Sequence, residues 1–171
     1  MKKYVLIISK NFPSYHLKKG KETEFINKIL NKEKVHTIRN SFPLWAKRIK
    51  EVQEGKAVLS LRYWAKEGGR SVKGNKQVEF ARLDKDSGIG IQKVEFSIKN
   101  EEFYFKIKNI DGEIEAKNKC RIGSSWIDFV YPNIDEVAKN DGLTLKDFKD
   151  WFKNYDLSKT LAVIHFTEFR Y

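Results

Sequence analysis

Cysteine is nearly absent from this chain, with Cys120 the only one among 171 residues. No intramolecular disulfide can form and no CxxC pair can hold a metal, so the sequence fits a reducing compartment and a cytoplasmic location is expected. Histidine is almost as scarce. His16, His36 and His165 show no paired spacing and read as loop, strand and core positions, so no metal and no other cofactor is expected. Proline occurs three times, and no Pro-rich linker, repeat or low-complexity tract marks a second domain. Long apolar runs are also missing. Tyr4-Val-Leu-Ile-Ile8 is far too short for a membrane span and lacks the h-region of a secretory signal, so a membrane partner is not expected and the run reads as a first strand.

Positive charge is what the chain has in excess. Lys and Arg total 34 against 23 Asp and Glu, a net charge of +11, and the sequence pI is about 9.6. Polyanions are the natural partners of such a chain, and a lysine-rich solvated surface is the alternative reading. The apolar share of 40% is enough for an ordinary core. One α+β domain over 1–171 is expected, as a monomer.

Hydrophobic spacing orders the elements. Val5 to Ile8 suits a buried strand, and Thr23 can cap a helix over Glu24 to Leu30 whose Phe25, Ile26, Ile29 and Leu30 recur at helical spacing. The segment Lys34-Val-His-Thr-Ile-Arg39 follows, with a strand from Val35 to Arg39. Phe42, Trp45, Ile49 and Val52 then lie on one helical stripe, with Pro43 in the first turn and Gly55 just past the end. Strands are expected at Ala57 to Trp64, Gln77 to Leu83, Ile89 to Ile98 and Glu102 to Lys108, and Ile110-Asp-Gly-Glu113 carries a tight-turn pair. The region 98 to 129 reads as a β-rich insertion. Asn133 with Glu136, and Thr144 with Asp147, open two short helices as capping boxes, and Leu143 with Phe148 forms a hydrophobic staple on the second. Thr160 to Phe169 is a closing strand.

Two of these segments resemble a known family. Lys34-Val-His-Thr-Ile-Arg39 is similar to the Lys-x-x-Thr-(Ile/Leu)-Arg strand of ASCH domains, which belong to the PUA-like superfold. Asp141-Gly-Leu-Thr-Leu-Lys-Asp-Phe148, with its helix and the strand Leu161 to Phe169, resembles the C-terminal block of the small bacterial ASCH amidohydrolases that deacetylate N4-acetylcytidine. Close matches are confined to these two blocks. The resemblance implies a small mixed β-barrel with helices at its mouth, and a pocket for RNA or a modified nucleoside. It also implies a catalytic set of Lys34, Thr37 and Asp141, which follows from the family alone.

The chemistry of that set can be stated. A threonine hydroxyl needs a base, and a lysine serves only when burial or a neighbouring cation lowers its pKa; Arg39 would act in that sense. On a regular strand, residues three apart point to opposite faces, so Lys34 can meet Thr37 only from a turn or bulge, whereas Thr37 and Arg39 share a face. Asp141 stands where the enzymes have glutamate, about 1.5 Å shorter in reach. Its other reading is a corner residue favoured by a helix dipole, as Thr37 has a strand-filling reading and Lys34 a solvated one.

A second candidate region lies after the middle strand. Arg62, Arg70, Lys73 and Lys76 flank Tyr63 and Trp64, a mixture suited to phosphates and stacked bases, or else a solvent loop over core aromatics. Trp45, Trp126 and Trp151 read as core. Three functions are consistent with the sequence: an ASCH/PUA-like domain with amidohydrolase activity on an N-acylated cytidine, a non-catalytic nucleic-acid-binding module, and a phage-type accessory interaction protein.

Overall fold

A computed structural model describes residues 1–99, 102–108, 120–122, 125–127, 129–156 and 158–171, and among these residues short β ladders alternate with four α-helices. Strand β1 (Lys2–Ile7) runs parallel to β3 (Ala57–Trp64), which pairs antiparallel with β4 (Gln77–Leu83). The register shifts between Leu61 and Arg62, which pair with Ala81 and Glu79, so Phe80 of β4 is the extra residue of a β-bulge. The second sheet has five strands in the order β2 (His36–Asn40), β10 (Leu161–His165), β5 (Gly90–Lys99), β6 (Glu102–Lys108), β9 (Phe129–Val130), all antiparallel. Strands β7 (Cys120–Ile122) and β8 (Ser125–Ile127) form a separate ribbon. The expected 110–113 turn and the side chain of Trp126 lie outside the described set.

The parallel β1–β3 pair needs a crossover, and the chain between them supplies α1 (Phe25–Leu30), β2 and α2 (Phe42–Gln53). Helix α2 lays Trp45, Ile49 and Val52 against β3, β5 and β10. Its start departs from a standard cap: Ser41 is left-handed and its side chain caps nothing, while Pro43 sits in the first turn as expected. Thr23 likewise lies one residue outside the cap position, which Glu24 occupies, yet its hydroxyl still accepts from Phe25 N at 3.3 Å. No helix among the described residues is long and apolar enough to cross a membrane.

Helix α4 (Leu145–Phe152) starts with the expected Thr144–Asp147 pair, whereas α3 (Ile134–Asn140) is capped by Asn133 through Asp135 N and not through the expected Glu136. Asn133 accepts from Asp135 N, and Thr144 exchanges bonds with the Asp147 backbone and carboxylate. Leu143 and Phe148 are both buried, and Phe148 packs on Phe152 and Phe105 with centroids 4.6 and 5.7 Å apart. Each such fully buried ring contributes roughly 1.5–3 kcal/mol by burial. The last strand stops at His165 rather than Phe169. Residues 166–171 turn back beneath it, bringing Tyr171 onto Gln92 of β5 through bonds of its own N and O.

No strand pairing joins the two sheets, so among the described residues they do not close into the expected barrel; one side-chain bond links their β1 and β2 edges. Arg39 on β2 reaches across and donates from Nη2 to Ile7 O on β1 at 2.7 Å. The site lies in this seam.

Candidate functional site

Lys34 is placed by the way α1 ends. Glu33 N and Lys34 N both donate to Lys28 O, a tight C-terminal turn that leaves Lys34 ahead of β2 and outside its alternation. Val35 N then donates to Asn140 O, and Phe166 N to Val35 O, so the segment is clamped between the end of α3 and the exit of β10. The condition that Lys34 approach Thr37 from a turn is met by this geometry. Lys34, Thr37, Arg39 and Asp141 line one small pocket, walled by Ile8, Phe25, Trp151 and Phe152.

Asp141 caps the C-terminal end of α3, and the corner it forms is held by four bonds from Lys28, Lys34 and Val35. Lys34 Nζ donates to Asp141 O at 2.5 Å and to Asp141 Oδ1 at 2.8 Å, Lys28 Nζ donates to Gly142 O at 2.8 Å, and Val35 N to Asn140 O at 2.9 Å. Gly142 makes the approach feasible. Its φ is +77°, and a Cβ there would meet the Lys34 Cβ, Cγ and Cδ at 3.1–3.3 Å. A shorter carboxylate thus reaches the lysine because the backbone behind it comes closer. The corner and the ion-pair readings of Asp141 coincide in one residue.

The pair is deeply buried, with side-chain exposures of 1% for Lys34 and 5% for Asp141. Burial pushes the Lys34 ammonium below the ordinary lysine range; Asp141 opposes this, and Arg39 and Lys28 add to it. Burial pushes the Asp141 carboxyl up, but Lys34 and His36 together pull it below the usual carboxylate range, so it is the anion of the pair. Lys34 Nζ also stands 4.1 Å from the centre of the Phe25 ring. Two of its three hydrogens serve Asp141, which leaves one for the pocket. The Thr37 hydroxyl makes no hydrogen bond among the described residues, and Arg39 Nε is buried without a partner. The cavity itself is about 20 Å³, room for a single water.

Ser9 lies on the wall of this pocket and also lines a larger cleft of about 600 Å³ between loop 9–22 and loop 64–69, where Lys10, Lys19, Lys66 and Trp64 face Glu22 and Glu67. The basic region after β3 does not form one surface with its aromatics. Tyr63 and Trp64 are consecutive on a strand and point to opposite sides: Trp64 lines the cleft against Gly69, while Tyr63 lines a hollow beside Phe80. Arg62 is held by the Ser60 hydroxyl at 2.8 Å and by Glu79 at 3.4 Å. Arg70, Lys73 and Lys76 are exposed on the loop, which Asn75 ties together through Lys66 and Gly69; none of the three lines the cleft or the inner pocket.

His36 is the residue whose role the sequence pattern hid. It alternates away from Thr37 and so reads as packing, yet its Nδ1 lies 3.5 Å from Asp141 Oδ1 and its Nε2 2.7 Å from the Tyr171 hydroxyl. His165 is its partner across the β2–β10 ladder, with ring centres 5.7 Å apart. Pairing of strands separated by more than a hundred residues leaves no local signal. Among the described residues no cluster of His, Cys, Asp and Glu is arranged to hold a metal ion. Compared with family models, with curated proteins and with solved structures, the chain matches none.

Proposed function

We propose that this chain is an ASCH-type, PUA-like domain whose seam pocket hydrolyses the amide of an N-acylated cytidine, presented as a nucleoside or within RNA. The observation that carries the reading is the convergence of an unbonded threonine hydroxyl, a buried lysine of lowered pKa and an unpartnered arginine donor in one pocket. Arg39 ties the β1 edge to the β2 edge by one side-chain bond, the side on which the barrel of that superfold would close, although no strand pairing closes it here. The reaction would run as acyl transfer. Lys34 first releases a proton to solvent; the neutral amine then takes the Thr37 proton as Oγ1 attacks the acyl carbonyl, and Arg39 Nε donates to the oxyanion. The C–N bond then breaks, and the Lys34 ammonium returns its proton to the departing amine. Water hydrolyses the threonyl ester, releasing the acid and restoring the hydroxyl. Asp141 is ionised and cannot supply a proton, so it acts by holding Lys34 and balancing its charge.

The remainder of the ligand would occupy the cleft beyond Ser9, beside Trp64 and the three lysines. A 20 Å³ cavity does not admit an acyl group and a base, so entry requires the Phe25–Trp151 wall to open. The same observation favours a second reading, a binding module without chemistry, as does the engagement of Lys34 with Asp141 rather than Thr37. Incubation with N4-acetylcytidine separates the two. The hydrolase reading expects cytidine release that is lost in Thr37→Ala and Lys34→Met and retained in part by Thr37→Ser. Absence of turnover on acylated cytidines, free or in RNA, leaves the binding module.

A further inference from the structure

Behind Asp141, on the side away from the pocket, lies a row of polar contacts that the proposed reaction does not use, hydrogen-bonded from Asn140 through Tyr171 to His36 and ending at His36 Nδ1, which is buried without a hydrogen-bond partner and faces Asp141. Asn140 Nδ2 donates to the Tyr171 hydroxyl at 3.2 Å, that hydroxyl lies 2.7 Å from His36 Nε2, and His36 Nδ1 lies 3.5 Å from Asp141 Oδ1. The direction of these bonds can be worked out. The Tyr171 oxygen already accepts from Asn140, and the phenol, largely buried and pushed to a higher pKa by that burial, keeps its proton. Among the described residues the acceptor next to it is His36 Nε2. The imidazole must then carry its hydrogen on Nδ1, the nitrogen facing Asp141. His36 is fully buried, and burial holds it neutral. The groups facing it are Asp141, Lys34, Tyr171 and His165; the last is also held neutral by burial, and its Nε2 is engaged by Gln92 at 2.8 Å.

We infer that His36, fixed in its Nδ1–H form by Tyr171, is a positioning residue that keeps Asp141 an anion through the change of charge on Lys34. The inference rests on the reaction proposed above for its functional meaning, but not for its physical content. When Lys34 gives up its charge, Asp141 loses its counterion in a site without solvent, and a carboxylate left so would take the proton itself. A second donor on Oδ1, from the opposite side, opposes that. The proton then stays on the route between Thr37, Lys34 and the leaving amine. In the structure Nδ1 stands 3.5 Å from Oδ1 and is not yet hydrogen-bonded, so this donor closes on the carboxylate as Lys34 loses its charge.

The test reads His36 and Asp141 directly in the full chain. Long-range ¹H–¹⁵N spectra identify which imidazole nitrogen is protonated, and ¹³C shifts follow the Asp141 carboxyl with pH, in the wild type and in Tyr171→Phe. Tyr171→Phe keeps the ring and removes only the hydroxyl. Expected are a protonated Nδ1 and a bare Nε2 in the wild type, a mixed tautomer in Tyr171→Phe, and an Asp141 midpoint that moves upward in the variant. A wild-type imidazole protonated on Nε2, or an Asp141 midpoint that does not move, overturns the inference. If acylated cytidine is turned over, Tyr171→Phe also lowers kcat about tenfold or more with KM little changed and shifts the basic limb of the pH profile; an unchanged profile overturns it as well. A wild type with no turnover but with the expected spectra removes the proposed reaction and leaves the positioning of Asp141 standing.

Discussion

Removing the charge of Asp141 while keeping its shape isolates what the buried pair does. In Asp141→Asn the amide oxygen can still accept from Lys34, and the bond from Nζ to the Asp141 backbone oxygen survives. What disappears is the counterion of a lysine whose side chain is 1% exposed. Two unit charges 2.8 Å apart attract by about 6 kcal/mol at an effective dielectric constant near 20, most of which offsets the desolvation of both ions. Deleting one partner of such a pair costs about 3–5 kcal/mol, and the surviving bonds place this variant near the lower figure. For a chain of this length a loss of about 3 kcal/mol lowers Tm by roughly 6–12 °C. Urea titrations of the wild type, Asp141→Asn, Lys34→Met and the double variant close the cycle. The double variant removes both charges of the pair and is expected to be more stable than the sum of the single losses predicts, by more than about 1 kcal/mol. Because the folded pKa of Lys34 lies below its unfolded value, the unfolded chain binds more protons in the interval between them. Asp141→Asn should therefore regain stability as pH rises through that interval. Losses within about 0.5 kcal/mol of zero, or additive ones, refute the assignment of a buried ion pair.

The remaining predictions concern acid, backbone and charge. Burial holds His36 and His165 below the ordinary histidine pKa, so the unfolded chain takes up protons first, and the urea midpoint should begin to fall below about pH 6.5; the contribution of Asp141, whose pKa is depressed, is lost only below about pH 4. A midpoint that stays flat down to about pH 5 contradicts the buried neutral imidazoles. Gly142→Ala should cost about 1–2 kcal/mol in thermal or urea unfolding, from its left-handed φ and from contact with the Lys34 stem, and no loss means that the corner does not depend on close approach. If the exposed loop cations contact RNA, replacing Arg70, Lys73 and Lys76 together by Ala should flatten the log–log salt dependence of single-strand binding by about 2 units, and an unchanged slope removes that loop from the interface.

Much of the architecture was written in local patterns. Thr144 with Asp147 and Leu143 with Phe148 state a helix start and its buried face within six residues, and strands β4 and β6 fall on the expected boundaries. Positions that depend on distant partners were less legible. Ser41 and Glu24 start helices in left-handed conformations without side-chain caps, held instead by contacts elsewhere in the chain. Strand β10 ends four residues early because Tyr171 is drawn back to Gln92 and His36. The pocket was read in part. The i, i+2 relation of Thr37 and Arg39 and the need for a turn at Lys34 both follow from strand geometry, and the structure has both. That Asp141 meets Lys34 at all depends on the close backbone approach at Gly142, which side-chain length alone does not show. His36 was hidden because its partners, Asp141 and Tyr171, come from α3 and the chain end. The engagement of Arg62 by Ser60 and Glu79 was not legible either, since Glu79 lies on the next strand and meets it only through the β3–β4 pairing.

In the proposed reaction Thr37 carries the acyl group between the two half-reactions. Mixing the protein with excess N4-acetylcytidine, quenching in acid within the first turnovers and mapping peptides by mass spectrometry tests it most directly. The account predicts an acetyl group on the peptide containing Thr37, formed as cytidine is released and absent in Lys34→Met. Cytidine released at full rate by Thr37→Ala, or no cytidine released at all, contradicts it.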